Sequence, residues 1–256
     1  MKKFFFASIL SFLSFALIIL ILEVFLYVSS DSSMTSRIYP RYDFLDEIGV
    51  IPKKSTKIYH YAKGFPTKVY SVNEQRYRGE LISYDSNFKK IINLGDSHAF
   101  GIGISDHETY SYKLDKLLEE YQVVNLSSPG WGLTHQINRY LSIGEKHDPE
   151  IIIIQFCSND PGDNSREKTI EWDNDIQEFK KIDLPNSEYN NKKIFFNKFS
   201  YIFDFLSGYS LVFNRLKGIY ASYLLSKGDN VAADFNEEGE IVLGLQKDYV
   251  FILEKF

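Results

Sequence analysis

Three short segments of this chain carry residue types that together can transfer an acyl group. They are Gly95-Asp96-Ser97-His98-Ala99-Phe100-Gly101, Asn125-Leu126-Ser127-Ser128-Pro129-Gly130 and Ser158-Asn159-Asp160. A serine hydroxyl attacks an ester carbonyl only when a base takes its proton and fixed donors hold the oxyanion of the tetrahedral intermediate. Ser97 is the candidate nucleophile. Its own backbone N–H, the N–H of Gly130 and the side-chain amide of Asn159 are the candidate oxyanion donors. Gly130 suits that role because it has no side chain to obstruct an approaching substrate. Asp96 and Asp160 read as supporting residues that brace the Ser97 turn and the third loop through backbone hydrogen bonds.

Each segment follows a strand signal. Residues 89–94 (KKIINL) and 123–126 (VVNL) are short apolar strands, and 151–156 (IIIIQF) is a continuous apolar run of the kind buried on both faces in a parallel sheet. Helical spacing over 109–121 and 133–146 separates them. This βαβαβ order predicts a three-layer α/β/α domain with a parallel, flavodoxin-like sheet, in which the carboxyl ends of the strands gather the three segments at one crevice. Residues 161–200 are polar and read as an insertion over that edge. Residues 200–225 read as one helix with Phe203, Leu206, Tyr209, Phe213 and Leu216 on or near one face, as core or cover rather than a lipid-binding surface. Residues 242–256 have a helical pattern that runs to the last residue. Upstream, Pro40 and Pro52 interrupt an aromatic and charged stretch, and the alternation over 58–72 suggests short strands or a hairpin. The expected organisation is an anchor over 1–30, a stalk or cover over 31–88 and the α/β domain over 89–256.

At the three blocks the chain resembles the SGNH (GDSL-type) hydrolase superfamily: GDSHAFG matches the first block, the Asn125 to Gly130 spacing the second and Asn159-Asp160 the third. Asn73 and Arg78-Gly79 resemble the lead-in of membrane-anchored bacterial members. The Gly-x-Ser-x-Gly elbow of the α/β-hydrolases is absent, since Ala99 occupies its last position. The resemblance implies a base on a histidine three residues after an aspartate, near the carboxyl end of the domain. Here the histidines are His60, His98, His107, His135 and His147, so that base is not assigned. The terminal helix resembles the element preceding the family's last strand, and the expectation is a chain that ends before its domain is complete.

Other residues admit blander readings. His98 adjoins Ser97, and neighbouring residues rarely aim at one proton. His135 either overhangs the crevice or is a surface residue at a helix start, while His60, His107 and His147 read as exposed loop residues. Trp131 is either a sugar or acyl platform or an aromatic packed beside the Gly130 loop. Cys157 reads as buried and inert. Asp163, Asp173 and Asp175 fit no complete cation loop and read as a solvated insertion.

The 256 residues carry 29 Lys+Arg against 34 Asp+Glu, a formal net charge of −5, which lacks the electrostatic footprint of a nucleic-acid binder. One cysteine forms neither an internal disulfide nor a cysteine-based zinc site, and no metal or cofactor is expected. Lys2 and Lys3 precede a run of 19 uncharged residues, 4–22, long enough at about 1.5 Å per residue to cross a hydrocarbon core. Its length and flanks favour an uncleaved transmembrane anchor over a signal peptide, with the amino terminus cytoplasmic and the domain periplasmic or extracellular. The expected function is a serine esterase or O-acyltransferase working through a Ser97 acyl-enzyme on O-acyl groups, acetyl above all, of an envelope polysaccharide or another acylated small substrate. The alternative is a catalytically inactive or truncated SGNH-like envelope protein that binds glycan without turnover.

Overall fold

The computed structural model describes residues 2–31, 35–40, 42–45, 47–166, 168–182 and 198–227. Helix α1 (Lys2–Ser29) is long and apolar enough to cross a membrane. From Lys3 its side chains are exposed as far as Ile18, and burial begins with Ile19, Glu23 and Leu26, a stripe at helical spacing that continues to Ser30 just past its end.

Strands β1 (Arg37–Tyr39), β2 (Tyr42–Leu45), β3 (Gly49–Pro52), β4 (Thr56–Tyr61) and β5 (Lys68–Val72) follow. β2 and β3 form one antiparallel pair, and β1-β4-β5 form an antiparallel sheet in which Ile58 faces Tyr70 across the expected 58–72 hairpin. Ile58, Tyr70 and Val72 are buried with Phe100, so this region packs directly on the segment carrying Ser97.

Next come β6 (Lys89–Leu94), α2 (Ser97–Phe100), α3 (Tyr110–Leu117), β7 (Tyr121–Asn125), α4 (Leu133–Arg139), β8 (Ile151–Ile154), α5 (Asp160–Arg166), β9 (Ile170–Asp173) and β10 (Glu178–Lys181). β6 lies between β7 and β8, parallel to both, with Ile91 level with Val123 and Ile151. The molecule is thus a mixed α/β protein with a three-stranded parallel sheet. Ile92 and Leu94 pack on one side against Tyr77, Val124, Leu126, Tyr140 and Ile143. On the other side Asn93 donates to Ser111 of α3 at 2.9 Å. Arg78 bridges the two sheets, pairing with Val72 at the end of β5 and with Asn125 at the end of β7.

Several elements differ from the pattern. α3 stops at Leu117 because Leu118 leaves helical geometry and Asp115 accepts the N–H of Val123, drawing Tyr121 into β7. α4 continues through one π-helical turn and one short 3-10 turn, ending where Asp148 adopts a left-handed conformation. β8 is not covered on both faces: it is the edge of the described sheet, and Ile151 and Ile152 are 41% and 37% exposed. The helix expected over 242–256 lies outside the described residues.

Residues 200–225 form two helices, α6 (Ser200–Tyr209) and α7 (Leu211–Lys227). The break is at Ser210, which is extended (φ −117°, ψ 118°). Just before it Gly208 lies against Tyr39, where a Cβ would meet ring carbon Cγ at 2.7 Å. The start of α7 is held by a distant carboxylate: Glu23 of α1 accepts from the Ser210 hydroxyl, from the N–H of Leu211 at 2.8 Å and from that of Val212 at 3.2 Å. The first N–H groups of a helix have no partner within it, and a negative group there is also favoured by the helix dipole. Glu23→Ala is expected to speed amide exchange at Leu211 and Val212 by about fivefold, in line with a cap worth about 1 kcal/mol, while β6 amides stay unchanged. Unchanged exchange at these two amides would contradict the cap.

Candidate functional site

The parallel strands bring the three loops to one edge. Leu126 N–H donates to Asn93 at 2.9 Å, Ser128 N–H to Gly95 at 3.2 Å and Gln155 N–H to Leu94 at 3.0 Å, so the chain leaves β6, β7 and β8 side by side. A Cβ on Gly95 would sit 2.4 Å from that of Ala99 and 3.2 Å from that of Gln155, which makes glycine necessary for α2 to fold back on the strand.

Ser97 is the first residue of α2 and is partly exposed. The fully buried Asp96 precedes it and accepts the N–H of His98 at 2.9 Å, fixing the turn. At the other end of α2 three successive carbonyls are taken by side chains. Asn125 donates to Ala99 at 3.0 Å, and Arg78 donates to Phe100 at 2.7 Å and Gly101 at 2.6 Å. Arg78 also donates to Ile104 at 2.7 Å and to the Asp106 carboxylate at 2.8 Å, with its guanidinium over the rings of Tyr70 and Phe100. Arg78 and Asn125 are thus positioning residues for Ser97. Sequence reasoning assigned neither a role; the signal was an arginine beside a tyrosine in a short link between two strands.

The second and third loops are stitched together. Gly130 has φ 80°, and a Cβ there would meet nothing within 4 Å, so its backbone angle rather than crowding asks for glycine. At Gly132 a Cβ would lie 2.6 Å from the Asp160 carbonyl oxygen and 2.5 Å from Asn164 Oδ1. Asn164 accepts the N–H of Thr134 at 2.9 Å, and Asp160 accepts from Gln136 at 3.4 Å and from Cys157 N–H at 3.2 Å. Asn159 is exposed and donates one amide hydrogen to Asp163 at 2.7 Å, leaving the second hydrogen of that amide for another acceptor. Asp163 is buried, not solvated as the polar composition of its segment suggested.

His60, His135 and His147 differ from their sequence reading. His98 is exposed on the α2 turn and His107 is exposed. His135 is fully buried, stacked on Trp131 with centroids 6.2 Å apart. Trp131 is itself 1% exposed and donates to Val50 at 2.6 Å, which leaves it no face for a sugar. His60 is half-buried in β4 and shares a 2.6 Å hydrogen bond with Tyr70. His147 is fully buried beside Tyr77 and Tyr84, and burial, with Lys90 nearby, lowers its pKa to about 4. Among the described residues no hydrogen bond joins Ser97 Oγ to any of the five.

Beneath the loops lies a group of acids. Asp160 is pushed up to about 7, first by burial and then by the charge of Asp96, against the pull of Cys157 N–H. Burial, and next to it Asp96 and Asp160, push the Cys157 thiol up. Ligand-type atoms of Asp96, His98 and Cys157 lie within 4.8 Å of one another.

Because the folded chain keeps a proton on Asp160 that the unfolded chain has released, this group's contribution is favourable below about pH 4 and is lost as pH rises through about 7. Asp160→Asn keeps an acceptor for Cys157 N–H and removes the charge. It is expected to stabilise the chain by about 2 kcal/mol at pH 8 and to leave stability at pH 4 nearly unchanged, read by urea unfolding in detergent. A variant less stable at pH 8 would contradict this account.

No protein-family model matches the chain, and no curated protein matches it.

Proposed function

We propose that the chain is a membrane-anchored SGNH-like serine esterase or O-acyltransferase that acts on O-acyl groups, acetyl above all, of an envelope polysaccharide. One observation carries the reading: Ser97 opens a short helix straight after a buried parallel strand, with the loops of Gly130 and Asn159 leaving the two flanking strands beside it. Such a crevice at the carboxyl ends of parallel strands is where an α/β fold builds its sites. The spatial order β7-β6-β8 is second-first-third along the chain, the start of the flavodoxin-like order, which supports a three-layer α/β/α domain.

In this mechanism Ser97 Oγ attacks the acyl carbonyl and loses its proton to a base. The oxyanion takes hydrogen bonds from the N–H groups of Ser97 and Gly130 and from the Asn159 amide. Collapse expels the sugar hydroxyl and leaves the acyl group on Ser97; water or a second hydroxyl then removes it. No cofactor enters. Lys2 and Lys3 favour a cytoplasmic amino terminus for α1, which puts the domain on the periplasmic or extracellular side.

A second reading, a glycan-binding SGNH-like protein without turnover, is favoured by the full burial of His135 and His147 and by the lack, among the described residues, of a hydrogen bond between Ser97 Oγ and any histidine. Hydrolysis of p-nitrophenyl acetate and of O-acetylated polysaccharide by the full chain in detergent separates the two. The enzyme reading expects Ser97→Ala to bring activity to background and Asn159→Ala to lower kcat about 10²-fold. Binding of the polysaccharide with no turnover, or equal activity in Ser97→Ala, would overturn it.

A further inference from the structure

The last two described helices both present apolar side chains outward. On α6 the buried side chains are small or polar, Asp204, Ser207 and Gly208, whereas Tyr201, Ile202, Phe205 and Tyr209 are exposed, Tyr201 at 78%. On α7, Leu216, Ile219, Tyr220 and Tyr223 fall on one helical face and are all exposed, Ile219 at 67%. A water-facing helix has the opposite arrangement, and contiguous exposed apolar surface marks a binding face.

The neighbouring contacts say what covers it. The hinge between α6 and α7 is bonded to Glu23, and α7 packs along α1. At about 1.5 Å per residue the uncharged run 4–22 is about 28 Å long, close to the roughly 30 Å thickness of a hydrocarbon core. Glu23 follows that run, so it lies at the outer boundary of the core, and the hinge lies at the same depth. Above it, Lys63 donates to the last carbonyls of α1, Tyr27 at 2.8 Å, Val28 at 3.0 Å and Ser30 at 3.2 Å, which fixes the height of the domain over that boundary. Four of the eight exposed residues are tyrosines, whose rings favour the headgroup level, and the exposed Arg215 can reach lipid phosphates.

We propose that the α6–α7 hairpin lies in the headgroup and upper acyl region of the same membrane that α1 crosses, with lipid as the partner of both apolar stripes. The proposal rests on the reading of α1 as an anchor, and its test separates the two. An environment-sensitive fluorophore is placed on Leu13→Cys, Leu117→Cys, Tyr201→Cys or Ile219→Cys in a Cys157→Ala background. The full chain is then reconstituted in phosphatidylethanolamine–phosphatidylglycerol vesicles carrying nitroxide lipid. All four positions are exposed, so the labels displace no core. The expected result is several-fold quenching at 201 and 219 by a nitroxide near the headgroup, quenching at 13 by one deep in the acyl chain, and little at 117. Quenching at 13 alone leaves the anchor standing and overturns the hairpin proposal, pointing instead to a protein partner or a second copy. No quenching at 13 overturns both, and equal headgroup quenching at 117, 201 and 219 overturns the hairpin as the specific contact.

Discussion

A guanidinium sealed from water has to be paired on every side, and the arrangement around Arg78 follows from that requirement. Its side chain is 2% exposed, and it meets one carboxylate, three carbonyls and two aromatic faces. Removing the partner of a buried charge costs about 3–5 kcal/mol, so these groups constrain one another strongly. Through its backbone the same residue joins the antiparallel sheet to the parallel one. Through its side chain it holds the far end of α2. A helix of four residues has no cooperative stability of its own, and the donors from Arg78 and Asn125 on its last carbonyls supply what length does not. The position of Ser97 is therefore set from behind, by residues distant in sequence.

The ground under the loops is electrostatic as well as steric. Asp160 is buried near the charge of Asp96 and so holds its proton to about pH 7, and Cys157, half-buried rather than buried as its sequence reading expects, has its thiol pushed up beside them. His147 shows the same penalty acting on a base, since burial keeps its imidazole neutral down to about pH 4. For that residue the folded chain binds fewer protons than the unfolded one between about 4 and the usual histidine value. Its contribution therefore falls as pH drops through that window, opposite in sense to that of Asp160.

The parallel strands and the three loops were legible because each is a local pattern: an apolar run, then a turn residue, then a small polar group. Asn93 and Asn125, polar residues at the ends of apolar strands, are explained only by what faces them, Ser111 and Ala99. His147 reads as a surface residue because nothing nearby in sequence announces Tyr77 or Tyr84 as neighbours, and His135, read as either over the crevice or on the surface, is instead buried against Trp131. The helical pattern over 200–225 is continuous, and the break at Ser210 comes from Tyr39 and Glu23, both more than 150 residues away along the chain. Periodicity reported which residues are apolar on α6 and α7; whether those faces point inward was a tertiary matter, and they point outward.

Glu23 and Lys63 tie the folded part to the end of α1, the helix long and apolar enough to cross a membrane. What the crevice does turns on whether the Ser97 hydroxyl is activated. The most direct measurement is treatment of the full chain with a serine-directed fluorophosphonate, followed by mass spectrometry of its peptides. The account predicts one adduct, on the peptide containing Ser97, that does not form when the chain is denatured before treatment. An unmodified Ser97 in the folded chain, or labelling spread over other serines, would contradict it.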